Sequence, residues 1–264
     1  MIRTLAAAAL LAAVTPPPLA RAQDSAVVTV SAAASAAVAS PDSAPLRVPF
    51  VVGERLEYQV KFGIFSVGHA EMVVAGIDTV RGEPTWHVVF AVHGRALWYS
   101  MTDTLESWFS VRDLTSRRFV QNNLEDGRLY RHIYEIHPEL GYFVQDGKDT
   151  LPTTAAPLDE MSFFYFARTV PLEPGRTYEY DRYFRLDRNP VVLHVLGDES
   201  VSVPAGRFAA VEINPVFKSR GLFAEGGHAE VYLAADSTRI PLLIRSSVSA
   251  LGHLTISLRN RRSP

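Results

Sequence analysis

The chain has 264 residues, of which 47% are hydrophobic, and a formal net charge of −2 at pH 7. This balance excludes the strongly basic proteins that bind nucleic acid through their overall charge. The sequence contains no cysteine. Disulfides, thiol chemistry and the cysteine-linked lipid of bacterial lipoproteins are therefore excluded, and we expect the core alone to stabilise the fold.

The first 22 residues are typical of a secretory signal peptide. Arg3 supplies a positive charge, Leu5–Val14 is an apolar run too short to span a bilayer, and Ala20-Arg21-Ala22 matches the cleavage pattern. We expect cleavage after Ala22, export to the periplasm or the extracellular space, and no transmembrane segment in the mature chain. A retained membrane anchor is the alternative, although the run Pro16–Pro18 argues against a continuous helix.

The next segment, Gln23–Arg47, consists mostly of Ala, Ser, Val and Pro and has no aromatic residue. Such a composition predicts a flexible tether. Residues 48–264 then form a single β-rich domain of ordinary size. Cleavage would remove two arginines and leave 24 basic and 28 acidic side chains, so we expect no nucleic-acid partner.

From Val48 onward, apolar and polar residues alternate with a period of two, which is typical of half-buried strands. The first run places Leu56, Tyr58, Val60 and Phe62 on one face. Further runs follow at Trp86–Val92, Arg117–Leu124, Tyr130–His137, Thr177–Phe184, Val191–Leu196, Ala209–Val216, Ala229–Leu233, Leu242–Ser249 and Leu254–Arg259. The pattern predicts an all-β fold, a large curved antiparallel sheet or open barrel of about 12–14 strands.

Glycine-containing turns separate the runs. Gly63–Gly68 (GIFSVG) and Glu125–Gly127 (EDG) predict β-hairpins. Gly206 lies between two strands in VPAGRF, and we expect it to occupy a turn position with positive φ.

One segment, Leu158–Thr169, departs from the alternation. Met161, Phe164, Tyr165 and Arg168 recur at helical spacing, Asp159 is placed to cap the first turn, and Pro171 follows the end. The sequence predicts one short aromatic helix packed on or into the sheet. The simplest interpretation is that its aromatic side chains belong to the core.

The tetrapeptide Gly-His-Ala-Glu occurs twice and raises the question of a metal site. His69 and Glu71, and likewise His228 and Glu230, would share one face of a strand. Two such strands as neighbours would bring four potential ligands together, but nothing in the sequence makes them neighbours and no further ligand pair accompanies them. We predict no metal or other cofactor, and interpret the repeat as two similar strands.

No catalytic motif is recognisable. The sequence lacks a G-x-S-x-G nucleophile elbow and a phosphate-binding glycine loop between a strand and a helix. The histidines are scattered. Carboxylates are plentiful, among them Asp103, Glu106, Asp159 and Glu160, but the spacing between paired carboxylates is a property of the fold. No catalytic residue is assigned, and an enzyme is the less favoured interpretation.

Apolar residues in turn-like segments give a candidate ligand site. Gly94–Met101 and Ser219–Gly227 place large apolar side chains where loops or rims are expected, and such patches often mark a binding site. Alternatively, these loops fold back and close the ends of the barrel. Together with the helix they give the predicted ligand-binding residues Leu97, Trp98, Tyr99, Phe164, Tyr165, Arg168, Leu222 and Phe223.

Four segments in this order resemble the bacterial exported proteins of domain of unknown function 3108. They are Val52–Met72, Asp159–Tyr180, Val203–Pro215 and His228–Leu258; Tyr232 stands where such proteins often have tryptophan. The resemblance implies an exported, β-rich envelope protein and supplies no catalytic residues.

Three functions remain open at this point. The favoured one is a non-enzymatic binding or assembly factor of the cell envelope, with a lipid, a glycolipid or an envelope protein as its partner. The alternatives are a hydrolase that acts on envelope glycans or lipids through clustered carboxylates, and a purely structural scaffold.

Overall fold

The computed structural model describes residues 46–96, 99–125, 127–216, 228–248 and 252–264. In these ranges the helix α1 spans Glu160–Ala167, and two short 3₁₀ turns span Pro138–Leu140 and Leu186–Arg188. The strands are β1 (Arg55–Phe62), β2 (Phe65–Val80), β3 (Glu83–Ala96), β4 (Tyr99–Ser110), β5 (Ser116–Glu125), β6 (Arg128–His137), β7 (Tyr142–Gln145), β8 (Asp149–Pro152), β9 (Thr177–Tyr180), β10 (Val191–Val203), β11 (Gly206–Val216), β12 (His228–Ala234), β13 (Pro241–Val248) and β14 (Gly252–Arg262).

All fourteen strands belong to one antiparallel sheet, in the order β8-β7-β6-β5-β4-β3-β2-β1-β14-β13-β12-β11-β10-β9. The first and last strands of this order, β8 and β9, do not pair with each other, so the sheet is an open barrel. Its concave face carries the hydrophobic core. This architecture confirms the predicted all-β fold, and the strand count lies within the predicted range.

The chain between the two edge strands crosses the opening of the barrel. Thr153 donates its hydroxyl to the carbonyl of Phe184 at 2.7 Å. Leu158 forms a parallel bridge with Tyr183, and the Phe184 N–H donates to the Leu158 carbonyl at 2.9 Å. These bonds connect the chain after β8 with the chain after β9, so short extended segments join the two sides of the opening.

The sheet has two distinct ends. We call the end that carries the β1–β2, β3–β4 and β5–β6 turns the upper end, and the end that carries the β2–β3, β4–β5 and β12–β13 turns the lower end. Leu46 donates its N–H to Val111 in the β4–β5 turn, and Pro264 lies beside Gly53 just before β1. Both termini of the described chain are therefore at the lower end.

Helix α1 starts where the sequence predicts. Asp159 is its N-cap and accepts from the N–H groups of Met161 and Ser162, while the Ser162 hydroxyl accepts from the Asp159 N–H. This reciprocal arrangement is a capping box. The residues Met161–Ala167 are all buried, and α1 packs against β3 and β4. No helix in the described ranges is long and apolar enough to cross a bilayer.

The structure confirms two turn predictions and corrects one strand prediction. The predicted β1–β2 hairpin is present, and Gly206 has φ of 135°, which confirms the expected positive value. Strand β9, in contrast, ends at Tyr180 rather than at Phe184. The alternation in the last four residues arises because Tyr183 and Phe184 are buried against Leu158, outside the sheet.

Candidate functional site

The strand register arranges the concave face in rows, because directly paired residues of antiparallel strands point to the same side. One row runs from β1 to β6 through Leu56, Met72, Phe90, Leu105, Gln121 and His132. The next row, closer to the upper end, runs through Tyr58, Ala70, Val92, Asp103, Asn123 and Tyr130. Both rows begin with apolar side chains and end with polar ones.

Exposure rises along both rows in the same direction. Leu56, Met72, Tyr58 and Ala70 on β1 and β2 are at most 2% exposed. The residues on β3, β4 and β5 are half-buried, and Tyr130 on β6 is 52% exposed. The row below these two, which includes Val88, Ser107 and Phe119, is completely buried where α1 packs. Solvent therefore reaches the upper concave face of β3–β6.

We call Phe90, Val92 and Leu105 the apolar strip of this surface. It is flanked by five polar side chains of β4–β6, which we call the polar wall: Asp103, Gln121, Asn123, Tyr130 and His132. Gln121 accepts a hydrogen bond from the Tyr134 hydroxyl at 3.3 Å. Hydrogen bonding to His132, at 2.9 Å, holds the pKa of Asp146 below its usual value. Apolar and polar groups thus meet on one accessible face.

The predicted ligand-binding residues fall into two groups. Phe164, Tyr165 and Arg168 are described and are at most 8% exposed, so each is part of the interior. Tyr99 is the first residue of β4. Leu97, Trp98, Leu222 and Phe223 lie outside the described residues. Ligand contact by all eight residues stays a prediction.

Every nitrogen of the Arg168 guanidinium group donates a hydrogen bond. Its Nη1 and Nη2 atoms donate to the two carboxylate oxygens of Glu54 at 2.7 and 2.9 Å. Its remaining donors reach the carbonyls of Thr238 and Pro49, and its guanidinium lies 5.3 Å from the ring centre of Phe50. A bidentate, buried pair of this kind fixes geometry strongly. Arg168 therefore holds the end of α1 against the lower end of the sheet.

Both carboxylate oxygens of Asp159 also have hydrogen-bond partners. One carboxylate oxygen accepts the two backbone N–H groups of the helix cap, and the other accepts from the hydroxyls of Ser107, at 2.6 Å, and Ser116. Burial raises the pKa of Asp159, although these donors act in the opposite direction. The carboxylate connects α1 to β4 and β5, and its acceptors are occupied.

Glu160 differs from its neighbour. Its Oε1 accepts from the Tyr183 hydroxyl, whereas its Oε2 is buried and accepts no hydrogen bond from the described residues. Burial raises the pKa of Glu160, and it also raises the pKa of Tyr183. A carboxyl group with a raised pKa and a vacant acceptor holds a proton to a higher pH than an exposed glutamate does.

The two Gly-His-Ala-Glu segments lie far apart. The first is within β2, and His228 to Glu230 of the second open β12; the strands β1, β14 and β13 separate β2 from β12 in the sheet. His69 instead stacks on His93 of β3, with ring centres 4.8 Å apart. Within the described residues, no three His, Asp or Glu side chains are grouped in a way that could hold a metal ion.

A family model matches most of the domain. Residues 57–259 match the family model described as Protein of unknown function (DUF3108). The chain belongs to the DUF3108 family. No curated protein matches this DUF3108 chain.

A solved structure shows the same kind of fold as this DUF3108 chain. It is the crystal structure of a beta-barrel-like protein of domain of unknown function DUF1849 from Brucella abortus. The similarity has a TM-score of 0.55 at 11% sequence identity, and it covers 83% of this chain and 100% of the other. At this identity the likeness concerns the fold.

Sequence reasoning missed the polar wall of this DUF3108 chain as a unit. Gln121, Asn122 and Asn123 are three consecutive polar residues in β5, so they have no alternation that reveals which of them face inward. The register with β4 supplies that information, because Gln121 pairs with Leu105 and Asn123 pairs with Asp103. No local signal in the sequence could have identified them.

Proposed function

We propose that this protein is an exported envelope factor that binds the apolar part of a lipid or glycolipid on the upper concave face of its sheet. The observation that carries the proposal is the partial exposure of the apolar strip beside the fully buried apolar residues of the same two rows on β1 and β2. A concave, mostly apolar surface with a few polar groups beside it is the usual form of a small-molecule site.

The cell compartment is part of the proposal. The first 22 residues have the charge, the apolar run and the cleavage pattern of a signal peptide, and we infer a periplasmic or extracellular location. Fractionation of cells that produce the full chain, with amino-terminal sequencing of the product, tests it. A mature protein that begins at Gln23 in an envelope or secreted fraction is expected; an uncleaved cytoplasmic chain would contradict the inference.

Ligand binding can be tested on protein purified from a bacterial envelope. Native mass spectrometry followed by solvent extraction is expected to show a co-purifying amphiphile in the wild type. Leu105→Asp places a charge in the apolar strip and should remove the bound species. Thr104→Asp changes the adjacent residue, which points to the convex face, and should leave it bound. A bare protein mass together with no binding of an apolar fluorescent probe would refute the proposal.

A hydrolase is the second candidate, and Glu160 is the observation that favours it. Its raised pKa and vacant Oε2 suit a general acid. If the protein hydrolyses envelope glycans or lipids, Glu160→Gln should abolish the release of product. Glu139→Gln, at an exposed carboxylate, is the control. Equal activity of wild type and Glu160→Gln would eliminate this candidate.

A further inference from the structure

The upper concave face contains two chemically different surfaces that share an edge. The apolar strip lies on β3 and β4, and the polar wall begins on β4 and continues through β5 to β6. Leu105 and Gln121 are direct partners across the β4–β5 ladder, so the change from apolar to polar occurs between adjacent strands. Neighbouring strands are about 5 Å apart. A ligand that spans both surfaces must itself change character within that distance.

The chemistry of the polar wall restricts the polar end of such a ligand. Gln121 offers an amide donor and an amide acceptor, Asn123 offers its amide donor, Asp103 offers one carboxylate oxygen, and the Tyr130 hydroxyl can donate and accept. The Oδ1 atoms of Asn123 and Asp103 are buried. Hydroxyl groups also donate and accept, so a hydroxyl-rich group matches this mixture. The two rows that form the surface contain no lysine or arginine among their described residues, and Arg128 lies one row nearer the upper end. The Asp103 carboxylate, when ionised, repels an anion.

The wall also has a suitable size. Asn123 of β5 lies directly opposite Asp103 of β4, and Gln121 precedes Asn123 by two residues in the same strand. Side chains that face each other across a strand pair are about 5 Å apart, and side chains two residues apart on one face of a strand are about 7 Å apart. Tyr130 pairs with Asn123 on the other side and adds a half-exposed aromatic ring. This is a compact patch with an aromatic border, comparable in extent to one or two sugar rings.

We propose that the ligand is an amphiphile with an uncharged, hydroxyl-rich head, such as a sugar, which lies on the polar wall while its alkyl tail lies on the apolar strip. This inference rests on the proposed function and adds the class and orientation of the ligand. It distinguishes a glycolipid from a phospholipid or a fatty acid, both of which carry an anionic phosphate or carboxylate group.

Three single-chain probes with the same tail test it: octyl β-D-glucoside, 1-octanol and octyl phosphate. Each competes with N-phenyl-1-naphthylamine, an uncharged fluorescent probe, for the full mature chain, below the concentration at which micelles form. The glucoside is expected to bind about tenfold more tightly than 1-octanol, as about two net hydrogen bonds would give. Octyl phosphate is expected to bind more weakly than the glucoside.

Asn123→Leu should reduce the preference for the glucoside over 1-octanol to within about twofold, because it removes the amide from the wall and leaves the tail site. Asn122→Leu is the matched control: it is the neighbouring residue, of the same type, on the convex face of the same strand. It should keep the full preference. Gln121→Leu is a second test of the wall if Asn123→Leu has a lowered melting temperature.

The outcomes separate the two proposals. Equal affinities of the wild type for glucoside and 1-octanol overturn the inference about the head group and leave apolar binding intact. Tightest binding of octyl phosphate overturns it in favour of an anionic head. If N-phenyl-1-naphthylamine does not bind and no co-purifying lipid is found, the proposed function itself fails.

Discussion

The lower and upper halves of the concave face are built from the same strands and have opposite characters. In the lower half, α1 covers the sheet, and the polar groups of Asp159 and Arg168 are buried with their partners in place. In the upper half, apolar and polar side chains stand side by side and remain partly exposed. The difference indicates that the lower half stabilises the fold and that the upper half is accessible to solvent, as the proposed ligand site requires.

The largest expected effect concerns the ion pair of the lower half. Arg168→Met leaves the Glu54 carboxylate buried without its partner, and we expect a loss of about 3–5 kcal/mol in the free energy of unfolding. Arg55→Met is the control, because Arg55 and Glu71 form an exposed pair at 2.6 Å and should contribute less than about 1 kcal/mol. Urea titrations of both variants measure this; similar losses would contradict the structural role of Arg168.

A second test concerns the close approach of β2 and β3 in the upper half. A Cβ atom at Gly68 would lie 2.0 Å from the carbonyl oxygen of His93, so Gly68→Ala must displace one strand. We expect a destabilisation of about 3 kcal/mol. At Gly76 in the same strand a Cβ meets nothing within 4 Å, and Gly76→Ala should leave the melting temperature almost unchanged. Equal melting temperatures of the two variants would show that the strands separate freely at Gly68.

The two halves can be compared within a single strand. Val88 and Val92 point to the same face of β3, but Val88 is completely buried and Val92 is half-buried. Val88→Ala should therefore cost about 2 kcal/mol and Val92→Ala less than about 1 kcal/mol. Octyl β-D-glucoside should stabilise Val88→Ala as much as it stabilises the wild type. It should stabilise Val92→Ala less, because Val92 belongs to the apolar strip. Melting temperatures with and without the glucoside measure both effects. A larger loss of stability in Val92→Ala than in Val88→Ala would contradict the assignment of the lower half to stability.

The smallest effect concerns the dependence of stability on pH. Because burial raises the pKa of Glu160 in the folded state, the folded protein binds a proton more tightly than the unfolded chain. This contribution to stability is fully present below the unfolded pKa and is lost as pH rises through the folded pKa. Glu160→Gln should therefore be more stable than the wild type at pH values above the folded pKa of Glu160, and it should lose this advantage as the pH falls below that pKa. Melting temperatures across this range test it, and a constant difference between the two proteins would disprove the coupling.

The sequence was sufficient for the parts of the fold that depend on local order. The alternation of Leu56, Tyr58 and Val60 predicts a strand with one buried face, and Asp159 before an aromatic run predicts the start of the helix; the structure confirms both. The ion pair of Glu54 and Arg168 could not be predicted, since its partners are 114 residues apart and neither stands in a recognisable motif.

The candidate site was less accessible to sequence reasoning, for a physical reason. Apolar residues at helical spacing predict an amphipathic helix, but they do not say whether a ligand or the protein itself covers its apolar side. Phe164 and Tyr165 turned out to be buried by the sheet. The accessible polar wall depends on the pairing of β4 with β5, which the side-chain pattern of Gln121–Asn123 does not determine.

The position of the two termini has a practical consequence. Leu46 and Pro264 both leave the domain at the lower end, whereas Ile64, 87% exposed, marks the tip of the β1–β2 hairpin at the upper end. A surface attachment, a fluorescent reporter or an affinity resin joined at either terminus would hold the domain with its upper end, where we propose the ligand site, directed away from the support. For the same reason a circular permutant, closed by a short linker between residues 264 and 48 and reopened at Ile64, should fold with the same sheet order.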